Sequence, residues 1–247
     1  MTVYKYDGTL DGFFSTVFEI YTTKTLPDEI TSSEEIQLGL ETNIINIITD
    51  DKKALRIKNS IIKNIGADEL HKFDYAFASC DEQKEMKMFS FARLVFKHGS
   101  SVLHMMSLIE VINFNLMVSK VTLEVEHIKG FLRFAQLSNG LFLASYTPDN
   151  DITCFILPYF ADRNGAMNFI IFDKSRNKMG LFNGEKYEII TCNENIPEIF
   201  TEEEAYCQSM WQQYFETVSI ASRKNKRLQN RALPIRYRRN MSEFSSR

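Results

Sequence analysis

The sequence predicts an α+β protein. N-terminal and central helices pack with a small antiparallel β-meander, and a C-terminal helix and basic tail close the fold. Three observations carry this expectation. Apolar residues recur at helical spacing through 10–21 and densely through 81–137. Between 141 and 191 the texture changes to short apolar runs separated by turn residues, with Asn183-Gly184 the strongest hairpin signal. Thr201-Glu202-Glu203-Glu204 is a capping box that opens the last helix. Strands set apart from helices in this way point to α+β rather than α/β.

Taken in order, Val3 to Tyr6 alternates and stops at Asp7-Gly8, a short strand and turn. Phe13, Phe14, Val17, Phe18 and Tyr21 then form one buried helical face within Leu10 to Tyr21. Lys24 to Gln37 reads as a surface loop, and Asn43 to Thr49 as an Ile-rich strand. A helix follows Asp50 to about Ile65, with Leu55, Ile57, Ile61 and Ile62 inward, and another covers Ala67 to Ala78. From Asp81 the pattern predicts a helix ended by Gly99-Ser100, a second over Ser101 to Val118 and a third over Ser119 to Leu137. In the third, Val121, Val125, Ile128 and Leu132 make one stripe, with Leu123, His127, Phe131 and Phe134 beside it. Strands are expected at 141–147, 169–173, 179–182 and 185–191, with a helix over Ile152 to Phe160. In the final helix, running to about Ser222, Trp211, Tyr214, Phe215 and Val218 should lie along one face against the body.

At 247 residues the chain divides, on this reading, into an N-terminal helical region with a short strand (1–80) and a core α+β domain with the C-terminal helix and arm (81–247). Its 44% apolar content and 20 Phe supply a core, and only 5 Pro and 10 Gly argue against long disorder. Cys80, Cys154, Cys192 and Cys207 lack metal-knuckle spacing and read as buried thiols of a reducing compartment. The N-terminus lacks a signal peptide's basic flank and apolar core. The longest apolar candidate, around Leu103 to Val118, is broken by His104, Glu110, Asn113 and Asn115. The expectation is a cytoplasmic protein with no membrane span.

Charge is the most informative feature. Between Arg223 and Arg239 lie Arg223, Lys224, Lys226, Arg227, Arg231, Arg236, Arg238 and Arg239, with no Asp or Glu. The chain is formally −3, so these eight leave −11 on the remainder. A basic arm on an acidic body points to a polyanion, nucleic acid above all, or to an arm folded back on its own carboxylates. On the first reading Arg223, Lys226, Arg227, Arg236 and Arg238 meet phosphate, while Tyr237 or Trp211 offers an aromatic surface.

Other candidates stand beside bland alternatives. Glu124-Val125-Glu126-His127 has the Glu-x-x-His spacing of carboxylate-bridged metal sites, but no second copy exists, so no metal is expected. His127 reads as a partly buried histidine or as a general base working with Asp149 or Asp162 in a nuclease- or glycosylase-like site. Arg163, after Asp162, either holds a turn or touches a phosphate or base edge. Asp173, Lys174 and Arg176 sit in an expected hairpin turn facing solvent, and Asp149 and Asp151 are turn formers first. There is no phosphate-cradling Gly-rich loop, nucleophile elbow, His-Glu-x-x-His or deaminase signature, and no cofactor is expected. A protein adaptor whose aromatic helix binds a neighbouring enzyme is the third class.

These residues together resemble a bacterial family of DNA metabolism or repair proteins. The resemblance runs nearly the whole length: Tyr4-x-Tyr6-Asp7-Gly8-Thr9 with Gly12-Phe13, then His127-x-x-Gly130-Phe131-x-Arg133-Phe134. Pro148-Asp149 and Phe160-Ala161-Asp162-Arg163 continue it. It ends with Trp211 and Tyr214-Phe215, Arg223-x-Asn225-x-Arg227-Leu228-Gln229, Pro234-x-Arg236-Tyr237 and Glu243-Phe244. Departures are Arg238, where relatives more often have an aromatic, and Asn168-Phe169, where they often have Trp. The resemblance implies a DNA partner, a neighbouring radical-SAM iron–sulfur protein, and nucleic-acid contacts that include Arg133. A similar core domain occurs fused to uracil-DNA glycosylase-like domains. No catalytic residue carries over.

Overall fold

The computed structural model describes residues 1–33, 42–192 and 199–244. The chain is an α+β protein whose contacts separate it into two compact units, Met1–Thr122 and Leu123–Arg247. The sequence reading divided the chain at 80/81. In the structure the helices from 84 to 117 bury their apolar faces in the N-terminal core, which carries the first unit on to residue 122.

The first unit opens with β1 (Thr2–Lys5), α1 (Leu10–Thr23), β2 (Glu29–Thr31) and β3 (Asn43–Asn46). The strands form an all-parallel sheet in the order β2-β1-β3, Tyr4 pairing with Ile30 on one side and Ile45 on the other. Thus α1 is the crossover helix of a β-α-β unit, and the loop expected at Lys24 to Gln37 contains a strand; its residues 34–37 lie outside the described residues. Thr9 caps α1 by accepting from the Gly12 N–H at 2.9 Å. Gly12 is needed for room: a Cβ there would fall 2.2 Å from Oδ1 of Asp7, which accepts from the Thr9 N–H and hydroxyl.

Next come α2 (Asp51–Ile65), α3 (Ala67–Phe77) and α4 (Lys84–His98). Asp50 caps α2 through the N–H groups of Lys52 and Lys53, and the buried Ser15 hydroxyl exchanges hydrogen bonds with the Asp50 backbone. Ile57 and Ile61 face inward as expected, but Leu55 and Ile62 are exposed, because α1 and α3 cover only one side of α2. After a 3-10 turn over Gly99–His104, α5 (Ile109–Phe131) runs unbroken. Two helices were expected where this one lies; Ser119-Lys120 carries neither Gly nor Pro, so nothing ends the hydrogen-bond ladder there. The core stacks aromatic rings: Phe91 on Phe114 at 4.0 Å and 6°, with Phe73 4.9 Å from Phe114.

In the second unit, β4 (Ala135–Gln136), β5 (Phe142–Tyr146), α6 (Thr153–Asn164), β6 (Phe169–Asp173), β7 (Lys178–Phe182) and β8 (Tyr187–Thr191) build a mixed sheet, order β4-β5-β6-β7-β8. The meander β6-β7-β8 is antiparallel as expected, but β5 joins β6 in parallel because α6 is a crossover between them. Asn183-Gly184 makes the β7–β8 turn, Gly184 taking φ +87° while Asn183 Oδ1 accepts from the N–H groups of Glu185 and Lys186. Asp173 is fully buried, not solvent-facing: it ends β6, accepts from the Ser175 N–H and pairs with Arg176 at 3.0 Å. Burial raises its carboxyl above the usual range, against the pull of Arg176. The cysteines are not buried thiols either; Cys80, Cys154 and Cys207 are exposed.

The chain closes with α7 (Glu202–Val218), a 3-10 turn over Ala221–Arg223, α8 (Lys226–Ala232), α9 (Ile235–Arg238) and a final 3-10 turn, Ser242–Phe244. Among the described residues no single helix is long and apolar enough to cross a membrane.

Candidate nucleic-acid interface

Helix α7 begins as its sequence dictates, Thr201 Oγ1 accepting from the Glu204 N–H at 3.0 Å. Its aromatic face does not lie against the body. No residue of α7 is buried; Trp211 is 42% and Tyr214 58% exposed, and their rings stack at 5.7 Å and 27°. Of the aromatic positions 211, 214 and 215, Phe215 alone is partly covered, and it makes an edge contact with Phe244 at 5.5 Å. Gln212 Nε2 donates to the Ser242 carbonyl at 2.7 Å and ties the helix to the C-terminal turn. Tyr206, Met210 and Val218 extend this exposed apolar face along the helix.

Two clefts follow one another along this helix. The first, about 730 Å³, has Trp211, Phe134 and Phe200 as apolar wall and Arg133, Lys174 and Arg239 as cations. Its acid, Glu204, is occupied: Oε2 accepts from the Gln136 N–H at 3.0 Å and Oε1 from the Gln208 amide at 2.8 Å. Arg133 pairs with Glu243 at 2.9 Å and donates to the Gly130 carbonyl. The second cleft, about 840 Å³, is lined by Arg223, Lys224 and Lys226 and one acid, Glu216, together with Phe215, Leu228 and Phe244.

The arm divides into a free and an anchored half. Asn225 caps α8 by accepting from the Leu228 N–H at 3.0 Å, and Arg223, Lys224, Lys226, Arg227 and Arg231 are all exposed. None of these five forms an ion pair with a described carboxylate. The anchored half turns on Tyr237, which is buried and therefore offers no surface to an outside base. Its hydroxyl donates to Glu124 Oε1 at 2.7 Å, and burial followed by this carboxylate raises the phenol well above its usual value. Glu124 also accepts from the N–H groups of Asp149 and Asn150 and from the Asn150 amide. Arg236 caps the cluster, donating to the Tyr237 hydroxyl and pairing with Asp149 at 2.9 Å. Arg238 is spent on Asn230, on the Leu233 carbonyl and over the Phe244 ring. The Glu124 of the Glu-x-x-His motif is thus an anchor for the tail.

The remaining candidates take no hydrogen bond from this cluster, though Phe131 lies between His127 and the Tyr237 ring. The His127 ring stacks on Phe131 at 5.5 Å, and Asp162 and Arg163 are exposed on α6, Arg163 donating to the Tyr159 hydroxyl. No hydrogen bond or ion pair among the described residues joins His127 to Asp149 or Asp162. Likewise no group of three or more His, Cys, Asp or Glu among the described residues is placed to hold a metal ion. Sequence reasoning missed Lys174 and Arg239 as lining of the cleft that holds Trp211, since residues 174, 211 and 239 come to one cleft only through the sheet and the C-terminal turn.

Fold and site together define an α+β chain whose second unit carries an aromatic, cation-lined groove. Residues 82–243 match the model of a family described as a domain of unknown function, DUF4130, and the chain belongs to that family. No curated protein matches the sequence.

Proposed function

We propose that this protein binds DNA in the cytoplasm and serves DNA repair or modification as the accessory of a radical-SAM iron–sulfur enzyme. The observation that supports binding is the set of five exposed cations from Arg223 to Arg231, none in an ion pair with a described carboxylate. The repair context and the enzyme partner come from the sequence resemblance. Arg236 and Arg238 serve the fold on this reading, so the phosphate contacts fall to Arg223, Lys224, Lys226, Arg227 and Arg231.

Counterion release makes such binding steeply salt-dependent, with a log–log slope of about −4 to −5 if each of the five neutralises one duplex phosphate. Fluorescence anisotropy of a labelled duplex across a salt series reads that slope. Replacing the five by Gln should flatten it towards zero with the fold retained. Salt-insensitive binding, or an unchanged slope in the variant, defeats the reading.

A further inference from the structure

We infer that the cleft beside Trp211 receives an unpaired base, so that the protein prefers single-stranded to duplex nucleic acid. This deepens the reading above and rests on it. Trp211 and Tyr214 form a stacked pair left open to water, the arrangement on which bases stack irrespective of sequence. Its volume of about 730 Å³ falls within the span of sites for small ligands, roughly 300–1,000 Å³. Lys174 and Arg239 line the same cleft, with Arg133 held in place by Glu243, while the cleft's own Glu204 is already hydrogen-bonded to Gln136 and Gln208. An apolar peptide would suit the ring but not the cations; a nucleotide suits both. The second cleft, one helical turn further along α7, sets Arg223, Lys224 and Lys226 against a single acid, Glu216, and continues the cationic path for the backbone of a strand whose base sits on Trp211. In a duplex the base faces are covered by their neighbours, so only an unpaired nucleotide has a face to give.

Trp211 is the single tryptophan of the chain, so its emission reports on this cleft alone. The full chain is titrated with short oligodeoxythymidylate, with a duplex of equal length and with an apolar peptide, while anisotropy of the labelled probe gives affinity. The expected result is saturable quenching by the single strand and little by the duplex. Trp211→Ala should weaken single-strand binding roughly 5- to 150-fold, Trp211→Phe should restore most of it, and both should leave duplex binding unchanged. Arg239→Gln, which leaves α7 untouched, should weaken the single strand more than the duplex. Equal affinity for both forms with unmoved Trp211 emission overturns this inference and leaves DNA binding by the arm intact. Emission that answers only to the peptide overturns it too. Failure to bind either DNA form at low salt overturns both readings.

Discussion

The aromatic residues of the first unit and those of α7 have opposite fates. Phe73, Phe91 and Phe114 come from three helices and are fully enclosed, ring against ring. Trp211 and Tyr214 also stack, yet the pair stays in water. Helical spacing of aromatics is present in both places, so spacing does not decide burial. What differs is the rest of each surface. Apolar side chains lie beside the rings of α4 on several faces, and any packing covers them. On α7 the half-buried positions are the polar Glu204, Gln208 and Gln212, with Phe215, and the apolar face with Tyr206, Met210, Trp211, Tyr214 and Val218 is left in water.

The sharpest test is to truncate one ring of each kind. Phe114→Ala should cost about 3–5 kcal/mol through lost burial and a cavity, whereas Trp211→Ala should stay within about 0.5 kcal/mol. Urea unfolding followed by far-UV circular dichroism measures both; a large loss at Trp211 would mean that α7 is held by its aromatic face after all.

A middle case is the anchored tail. Glu124→Gln keeps the shape but puts an amide donor among four donors, those of Tyr237, Asp149 and two from Asn150. The expected loss is about 2 kcal/mol, with the amides of 235–241 exchanging faster with deuterium. Unchanged exchange there would place the anchor elsewhere.

The smallest effect is a pH difference between the units. For Asp81, burial raises the carboxyl, but the Lys87 ammonium at 2.6 Å and the Gln83 N–H outweigh it, and the group titrates below its usual range. Its stabilisation is present at neutral pH and is lost as pH falls through that lowered value. Asp173, raised by burial, acts with opposite sign: its contribution is present in acid and is lost as pH rises through its elevated value. Asp81→Asn should therefore shrink the acid loss of stability, and Asp173→Asn should enlarge it. Unfolding midpoints collected from acid to neutral pH check both signs; parallel shifts in the two variants would contradict the assignment.

Local signals in the sequence were good guides to local structure. Thr201 caps α7, Asp50 caps α2 and Asn183-Gly184 turns β7 into β8, because each depends on a side chain bonding its own backbone neighbours. The parallel placement of β5 against β6 was not legible, since pairing direction depends on where α6 crosses rather than on either strand. Tyr237 shows the same limit. Flanked by arginines, it read as an exposed stacking ring; a glutamate more than a hundred positions away draws its hydroxyl inside. The acidic Asp173 was expected in water and is buried because Arg176 folds back on it.

By itself the sequence determined the α+β class, the helix starts, the hairpin and the concentration of cations between Arg223 and Arg239. Each of these is a property of neighbouring residues or of simple charge count. Only the tertiary structure decided which cations remain available. Distant carboxylates at 124, 149 and 243 come within hydrogen-bonding reach of Tyr237, Arg236 and Arg133, and leave Arg223 to Arg231 without a described carboxylate partner. Pair electrostatics fall off with distance in space, and sequence separation does not carry that distance.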